Sequence, residues 1–251
     1  MFKHKLKASL IHLGLSILLV GIVIGSLLFF FFPQFFIGVS DFKEIAILII
    51  SIDLVLGPLL TFVVFKPKKR TLKFDLSVIA AIQLSALAYG AYALYEVHPV
   101  YVTFNIDRFT IVSAKDAEPE KAQYDEYKIS KLTTAKLAFA KMPDDIEKKN
   151  EITLTAAMGG ADLDARTEYY QPYENHIDQV LARSLDPKLI FAGENSKNKA
   201  KSFYKKHQDN LNDFAYLPLN SQKKDAIIVL DKVTAKPVAT LNIDPWELSK
   251  K

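Results

Sequence analysis

The sequence predicts an α+β protein in two parts: a three-transmembrane-helix N-terminal bundle and a small α+β domain exported by it. Three observations lead there. Residues 1–95 carry only nine basic and four acidic side chains, whereas residues 96–251 carry 23 and 24. The charge-poor part holds three apolar segments of membrane-spanning length. The charge-rich part mixes strand-like and helix-like runs and is large enough for a core of its own. The expected boundary is a membrane domain over 1–97 and a second domain over 98–251.

The first span is Ile11–Phe32, 22 residues without a charge. A cleaved leader has a shorter apolar region and a small-residue cleavage site. This run instead ends in four Phe and Pro33, so it reads as a retained helix. The second span, Ile45–Phe65, contains one charge, Asp53. Its apolar residues contribute roughly −6 kcal/mol to insertion, which outweighs about +3 kcal/mol for a central aspartate. The third, Leu76–Tyr95, is the weakest, at about −3 kcal/mol. It is rich in alanine, carries Gln83, and ends in Tyr92 and Tyr95, residues suited to an interface.

Orientation follows from the short loops. Lys3, Lys5 and Lys7 precede span one, and Lys66, Lys68, Lys69, Arg70 and Lys73 lie between spans two and three. Positive residues stay cytoplasmic. The N-terminus is therefore expected inside, 33–44 outside and 66–75 inside, and 96–251 is expected to be exported. In a Gram-negative cell that compartment is the periplasm. The basic 66–73 loop also suits contact with anionic headgroups of the lipid bilayer.

In the second part, Val100–Ile106 and Phe109–Ser113 read as strands around a turn at Asp107-Arg108. Residues 120–141 read as helix. Ile152, Leu154, Ala156 and Met158 alternate with polar residues and read as a strand. Ile177, Val180, Leu181 and Ser184 mark one helix, and Ala200, Phe203, Tyr204 and His207 another. Ala226–Asp231 and Pro237–Ile243 read as strands around a polar turn.

Chemistry is sparse. No Cys is present, which excludes a disulfide scaffold, a thiolate zinc site and a Cys nucleophile. The five His are scattered, so no metal site is signalled. No phosphate-binding or nucleophile motif occurs, and Ser196 with Lys199 matches a dyad by letters only. No catalytic residue and no cofactor are expected. The second part has a net charge of −1, which argues against nucleic acid as a partner.

Two intramembrane features remain. Asp53 is ionisable within a span and is followed by Gly57-Pro58, where a kink is expected because Pro58 leaves the Leu54 carbonyl without its helical donor. Antiparallel counting puts Asp53 level with Tyr89, with Gln83 nearer the cytoplasm. Asp53 then serves as a structural hydrogen bond to Tyr89, a polar contact for a partner, or a proton or ion relay. Gly21 and Gly25 form a G-x-x-x-G pattern with Gly14 a heptad earlier, and Gly90 lies in span three. Such glycines pack either on neighbouring spans of the same chain or on another protein's helix.

The chain resembles the TfpX/TfpZ family of type IV pilin accessory proteins over nearly its whole length. The likeness rests on Lys7-Ala8 and His12-Leu13, then on Asp53-Leu-Val-Leu-Gly57-Pro58-Leu59-Leu60-Thr61, its most specific piece. Lys69, Asp75-Leu76, Gln83-Leu84, Tyr89-Gly90, Pro99-Val100 and Asp107-Arg108-Phe109 continue it, and Leu217-Pro218-Leu219, Asp231 and Pro245-Trp246 complete it. His98 and Phe32 depart from the family pattern. The resemblance implies an inner-membrane protein that acts on the major type IV pilin without being a pilus subunit, with no catalytic residues. Pilin would wait in the membrane as one apolar helix with a periplasmic head. A membrane-tethered sensor and a pilin-modifying enzyme are the competing classes, and the oligomeric state stays open.

Overall fold

A computed structural model describes residues 1–221 and 223–248. The chain forms two compact units, Met1–Phe31 with Asp41–Val97, and Phe32–Ser40 with His98–Lys251.

The first unit is helical. It comprises α1 (Phe2–Phe31), α2 (Phe42–Ile50), a π-helical turn over Ser51–Leu56, α3 (Gly57–Val64) and α4 (Leu72–Glu96). Three helices, Phe2–Phe31, Phe42–Val64 and Leu72–Glu96, are long and apolar enough to cross a membrane. The second is continuous through the π turn. Its extra residue per turn has a local cause, because Pro58 has no N–H to return to the Leu54 carbonyl. The Gly57 N–H reaches back five residues to the Ile52 carbonyl. The expected kink thus takes the form of a bulge. Between α3 and α4, the Lys69 ammonium lies 2.6 Å from Asp75, an acid in the first turn of α4, where it complements the helix dipole.

The second unit is a seven-stranded mixed sheet with short helices, which makes the fold α+β. Its strands are β1 (Pro99–Asn105), β2 (Arg108–Ser113), β3 (Lys136–Ala140), β4 (Tyr170–Gln171), β5 (Phe214–Asn220), β6 (Ala226–Asp231) and β7 (Pro237–Leu241). Their order is β4-β3-β1-β2-β5-β6-β7. The β1–β3 and β2–β5 pairs are parallel and the remaining neighbours antiparallel. Side chains alternate across the pleat, and both faces are covered. Ala215, Leu217 and Ile228 join Phe104 and Phe109 in one core, and Tyr216, Ile227 and Val229 join Ile190 and Phe191 in another. The short segment 32–40 contributes Phe36 and Val39 to the first of these cores. The Thr240 hydroxyl donates to the Phe35 carbonyl, and the Ser221 hydroxyl donates to the Val39 carbonyl at 2.7 Å.

Three sequence expectations are corrected. Residues 120–141 are not one helix but two 3₁₀ turns, Pro119–Lys121 and Asp125–Tyr127, followed by β3. Tyr127 is the reason. Its ring is fully buried, and its hydroxyl donates to the Gln171 carbonyl at 2.9 Å while accepting from the Tyr173 N–H. That anchor holds the chain extended enough for Lys136–Phe139 to pair with β1. The expected strand at 152–158 lies in a helix, α5 (Ile146–Ala157). Asp145 caps it by accepting from the Glu147 and Lys148 N–H groups. Ile152 is buried whereas Leu154 and Met158 are exposed, so the alternation carried no sheet face. The β1–β2 turn is Ile106-Asp107 rather than Asp107-Arg108, because Asn105 and Arg108 are already paired. Ile106 sits there at φ 53°, a conformation that favours glycine and hides the turn from sequence.

Candidate functional site

The candidate site lies in the helical unit, around Asp53. The π turn carries Asp53 on the buried side of the second span, eleven residues from either end of Phe42–Val64. Asp53 is 4 % exposed and Gln83 8 %. Gln83 Nε2 donates to Asp53 Oδ1 and to the Asp53 carbonyl, each at 3.3 Å. Gly57 makes this possible, since a Cβ there would overlap the Gln83 amide. Asp53 Oδ2 and Gln83 Oε1 are buried without a hydrogen-bond partner among the described residues.

A second polar pair adjoins the first. His12 Nδ1 and Thr61 Oγ1 are 2.6 Å apart, and the Ser9 hydroxyl donates to the Pro58 carbonyl at 2.8 Å. These contacts join α1 to α3. His12, Thr61 and Ser16 line a groove of about 450 Å³ whose lining also includes Asp53 and Gln83. Its remaining lining is apolar, chiefly Ile11, Leu15 and Leu19 from α1 and Ala80, Leu84 and Leu87 from α4.

The structure brings together three of the five intramembrane candidates, Asp53, Gly57 and Gln83. Pro58 contributes through its carbonyl. Tyr89 does not take part; it is 71 % exposed, and the hydrogen bond expected from it to Asp53 is made by Gln83 instead. The helix contacts explain this. Gly90 abuts Ile49 and Gly57 abuts Gln83, so Asp53 faces the level of residues 86–87, and Tyr89 falls off the buried stripe Ile79, Gln83, Leu87, Gly90, Leu94. Gly90 is a true packing glycine. A Cβ at Gly14, Gly21 or Gly25 would meet no heavy atom within 4 Å, so the span-one glycines leave an unfilled face. In the basic loop, Lys66, Lys68, Arg70 and Lys73 lie on an exposed or half-exposed surface, and Lys69 pairs with Asp75.

Sequence reasoning missed His12, Thr61, Ser9 and Ser16 as site residues. The signal was present, since Ser9, His12 and Ser16 recur at helical spacing at the start of the first span. In the sheet unit, the distant pieces Asp107-Arg108 and Pro245-Trp246 meet. The Arg108 guanidinium lies 4.6 Å from the Trp246 ring centroid, and Trp246 Nε1 donates to Asp225 at 2.6 Å. Among the described residues no cluster of His, Asp or Glu is arranged to hold a metal ion.

The chain is similar over its whole length to fimbrial assembly proteins of Dichelobacter nodosus. It is 28 % identical to the serogroup I protein over 260 residues, covering 98 % of each chain. The serogroup E1 protein matches at the same identity and coverage. The protein of serogroups C1 and C2 is 37 % identical over 117 residues, covering 46 % of this chain and 89 % of that relative. No family model matches the chain, and no solved structure matches it.

Proposed function

This chain belongs to the family of the Dichelobacter nodosus fimbrial assembly proteins, and from that premise we propose that it is an inner-membrane accessory factor of type IV fimbriae, of the TfpX/TfpZ kind, which assists assembly by contacting a cognate pilin. The observation that carries this reading is the full-length similarity, which spans the helical and the sheet unit alike. The membrane reading is supported by three helices of spanning length and by the basic residues flanking them. On this reading the N-terminus lies in the cytoplasm and residues 98–251 in the periplasm.

The helical unit holds the apolar helix of a pilin waiting in the bilayer, and the sheet unit contacts its head. Two linked contacts reinforce each other through effective concentration, so each is weak on its own. Specificity resides mainly in the sheet unit, because lipid-facing helices present little sequence information. The role is non-enzymatic, in keeping with a sequence that offers no nucleophile–base pair.

Deleting the gene in a piliated host tests the reading. Surface fimbriae are expected to fall several-fold and to return with the plasmid-borne chain, while the intact mass of pilin stays unchanged. Normal piliation in the deletion strain overturns it, and a covalent mass change in pilin would turn the reading toward an enzyme. Exchange of residues 98–251 between two family members is expected to transfer pilin preference.

A further inference from the structure

The groove between α1 and α4 is built for a helix with one polar demand. Its α1 wall runs from Ala8 to Val20 and its α4 wall from Leu76 to Leu87. At ~1.5 Å per residue these walls are each about 17 Å long, or about three turns of helix. Asp53 and Gln83 belong to its lining, and Asp53 Oδ2 and Gln83 Oε1 are buried without a hydrogen-bond partner among the described residues. With the Asp53 carboxyl ionised both are acceptors, and the nearby Gln83 Nε2 donor is already committed to Asp53. A polar group left unsatisfied in hydrocarbon costs several kcal/mol. An acyl chain seated in the groove has no donor and leaves that cost standing. A transmembrane helix with a hydroxyl or amine at the matching depth removes it.

We propose that this groove seats an apolar transmembrane helix of the partner, which directs a hydrogen-bond donor, a hydroxyl or an amine, at the Asp53 Oδ2 and Gln83 Oε1 pair. The proposal rests on the reading above, in which that partner is pilin. It assigns Asp53 and Gln83 to recognition, and Leu15, Ala80 and Leu84 to the walls.

The test uses a photoreactive p-benzoylphenylalanine introduced singly into the full-length chain in membranes of pilin-producing cells. Leu15 and Leu84 probe the groove. Val55, 60 % exposed, lies two residues from Asp53 but outside the groove lining, and Val233, 94 % exposed, probes the sheet unit. Pilin adducts are expected from Leu15 and Leu84 and not from Val55. An interhelical hydrogen bond in a membrane contributes about 1 kcal/mol, so Asp53→Leu is expected to cut the Leu84 adduct about fivefold. Asp53→Asn, which keeps an acceptor oxygen, preserves most of it. Ala80→Trp fills the groove at an exposed wall position and leaves the Asp53 and Gln83 side chains themselves unsubstituted. It is expected to abolish the adduct, and it decides the matter if Asp53→Leu fails to accumulate. Adducts from Leu84 that survive both variants, or that contain only lipid or a second copy of this chain, overturn the proposal. Pilin captured at Val233 but not in the groove overturns it while leaving the pilin-contact reading intact. No pilin from any position overturns both.

Discussion

At Gly57 and Gly90 the absence of a side chain sets the geometry of the bundle. A Cβ at Gly90 would run into Ile49, and one at Gly57 into the flexible end of Gln83. The two consequences differ. Ile49 is β-branched and fully buried, so it yields little. Gly90→Ala is therefore expected to destabilise the bundle by about 1–3 kcal/mol, the usual range for overpacking. Gln83 can swing aside, and Gly57→Ala then breaks its bonds to Asp53 at a cost of about 1 kcal/mol, typical of interhelical hydrogen bonds in membranes. Gly14→Ala meets no neighbour within 4 Å and is expected to be neutral. Unfolding of the full chain in mixed detergent micelles ranks the three variants, and equal effects would refute the packing described. The same contacts show what sequence could reveal of this site. Asp53, Gly57 and Gln83 were legible, because polar or backbone-exposing residues in a span are conspicuous. The choice of Gln83 over Tyr89 was not, because it depends on an interhelical register that only the Ile49–Gly90 and Gly57–Gln83 contacts fix.

At the scale of elements, sequence succeeded where one periodicity acted alone. The apolar runs of α1 and α4 needed no partner to be recognised, and β6 is a short continuous apolar run that ends at a polar turn. It failed where a long-range contact decided the outcome. β3 exists because β1 lies beside it, and β5 contains Pro218, which argues against an interior strand. The structure tolerates Pro218 because β2 pairs only with Leu219 and Asn220, beyond it. α5 was misread because its alternating residues mimic a strand, although Asp145 was its start signal. Asp145→Ala is expected to cost about 1 kcal/mol of stability, the usual worth of an N-cap, read as a lowered Tm. The β6–β7 hairpin carries a pH-dependent clasp. The Thr234 N–H and hydroxyl and the Val233 N–H all donate to Asp231 Oδ1. These bonds, led by the Thr234 N–H, hold the Asp231 carboxyl below the usual carboxylate range. The folded pKa is thus lower than the unfolded one, about 3.9. The contribution is fully present above the unfolded value and is lost as pH falls through the folded one. Tm of the full chain is expected to fall on acidification below about pH 4, and Asp231→Ala to lower Tm at neutral pH while flattening that acid limb.

At the scale of the whole molecule, the segment 32–40 constrains the topology independently of hydropathy. It joins α1 to α2 in the chain, yet folds with residues 98–251 as one unit. Phe36 and Val39 are each 2 % exposed in the sheet's core, and Thr240 and Ser221 donate to the carbonyls of Phe35 and Val39. One folded unit occupies one side of a membrane. If α4 did not cross, residues 98–251 would lie with the 66–71 loop, on the side opposite 32–40, and that core could not form. In the proposed topology the alanine-rich α4, the weakest span by insertion energy, brings residues 98–251 to the side of 32–40, as the packing of Phe36 and Val39 in the sheet's core asks. Phe36→Ala is expected to destabilise the sheet unit by about 3–5 kcal/mol, as for other buried Phe truncations, even though it sits in a nine-residue link between two membrane helices. The chain contains no Cys, so single substitutions can be labelled without background. In the proposed orientation, Gly38→Cys and Val233→Cys are expected to react with an impermeant maleimide added from the periplasmic side, and Lys68→Cys only after the inner membrane is opened. Labelling of Val233→Cys together with Lys68→Cys, and apart from Gly38→Cys, would mean that the third helix does not cross and that the 32–40 segment cannot belong to the sheet.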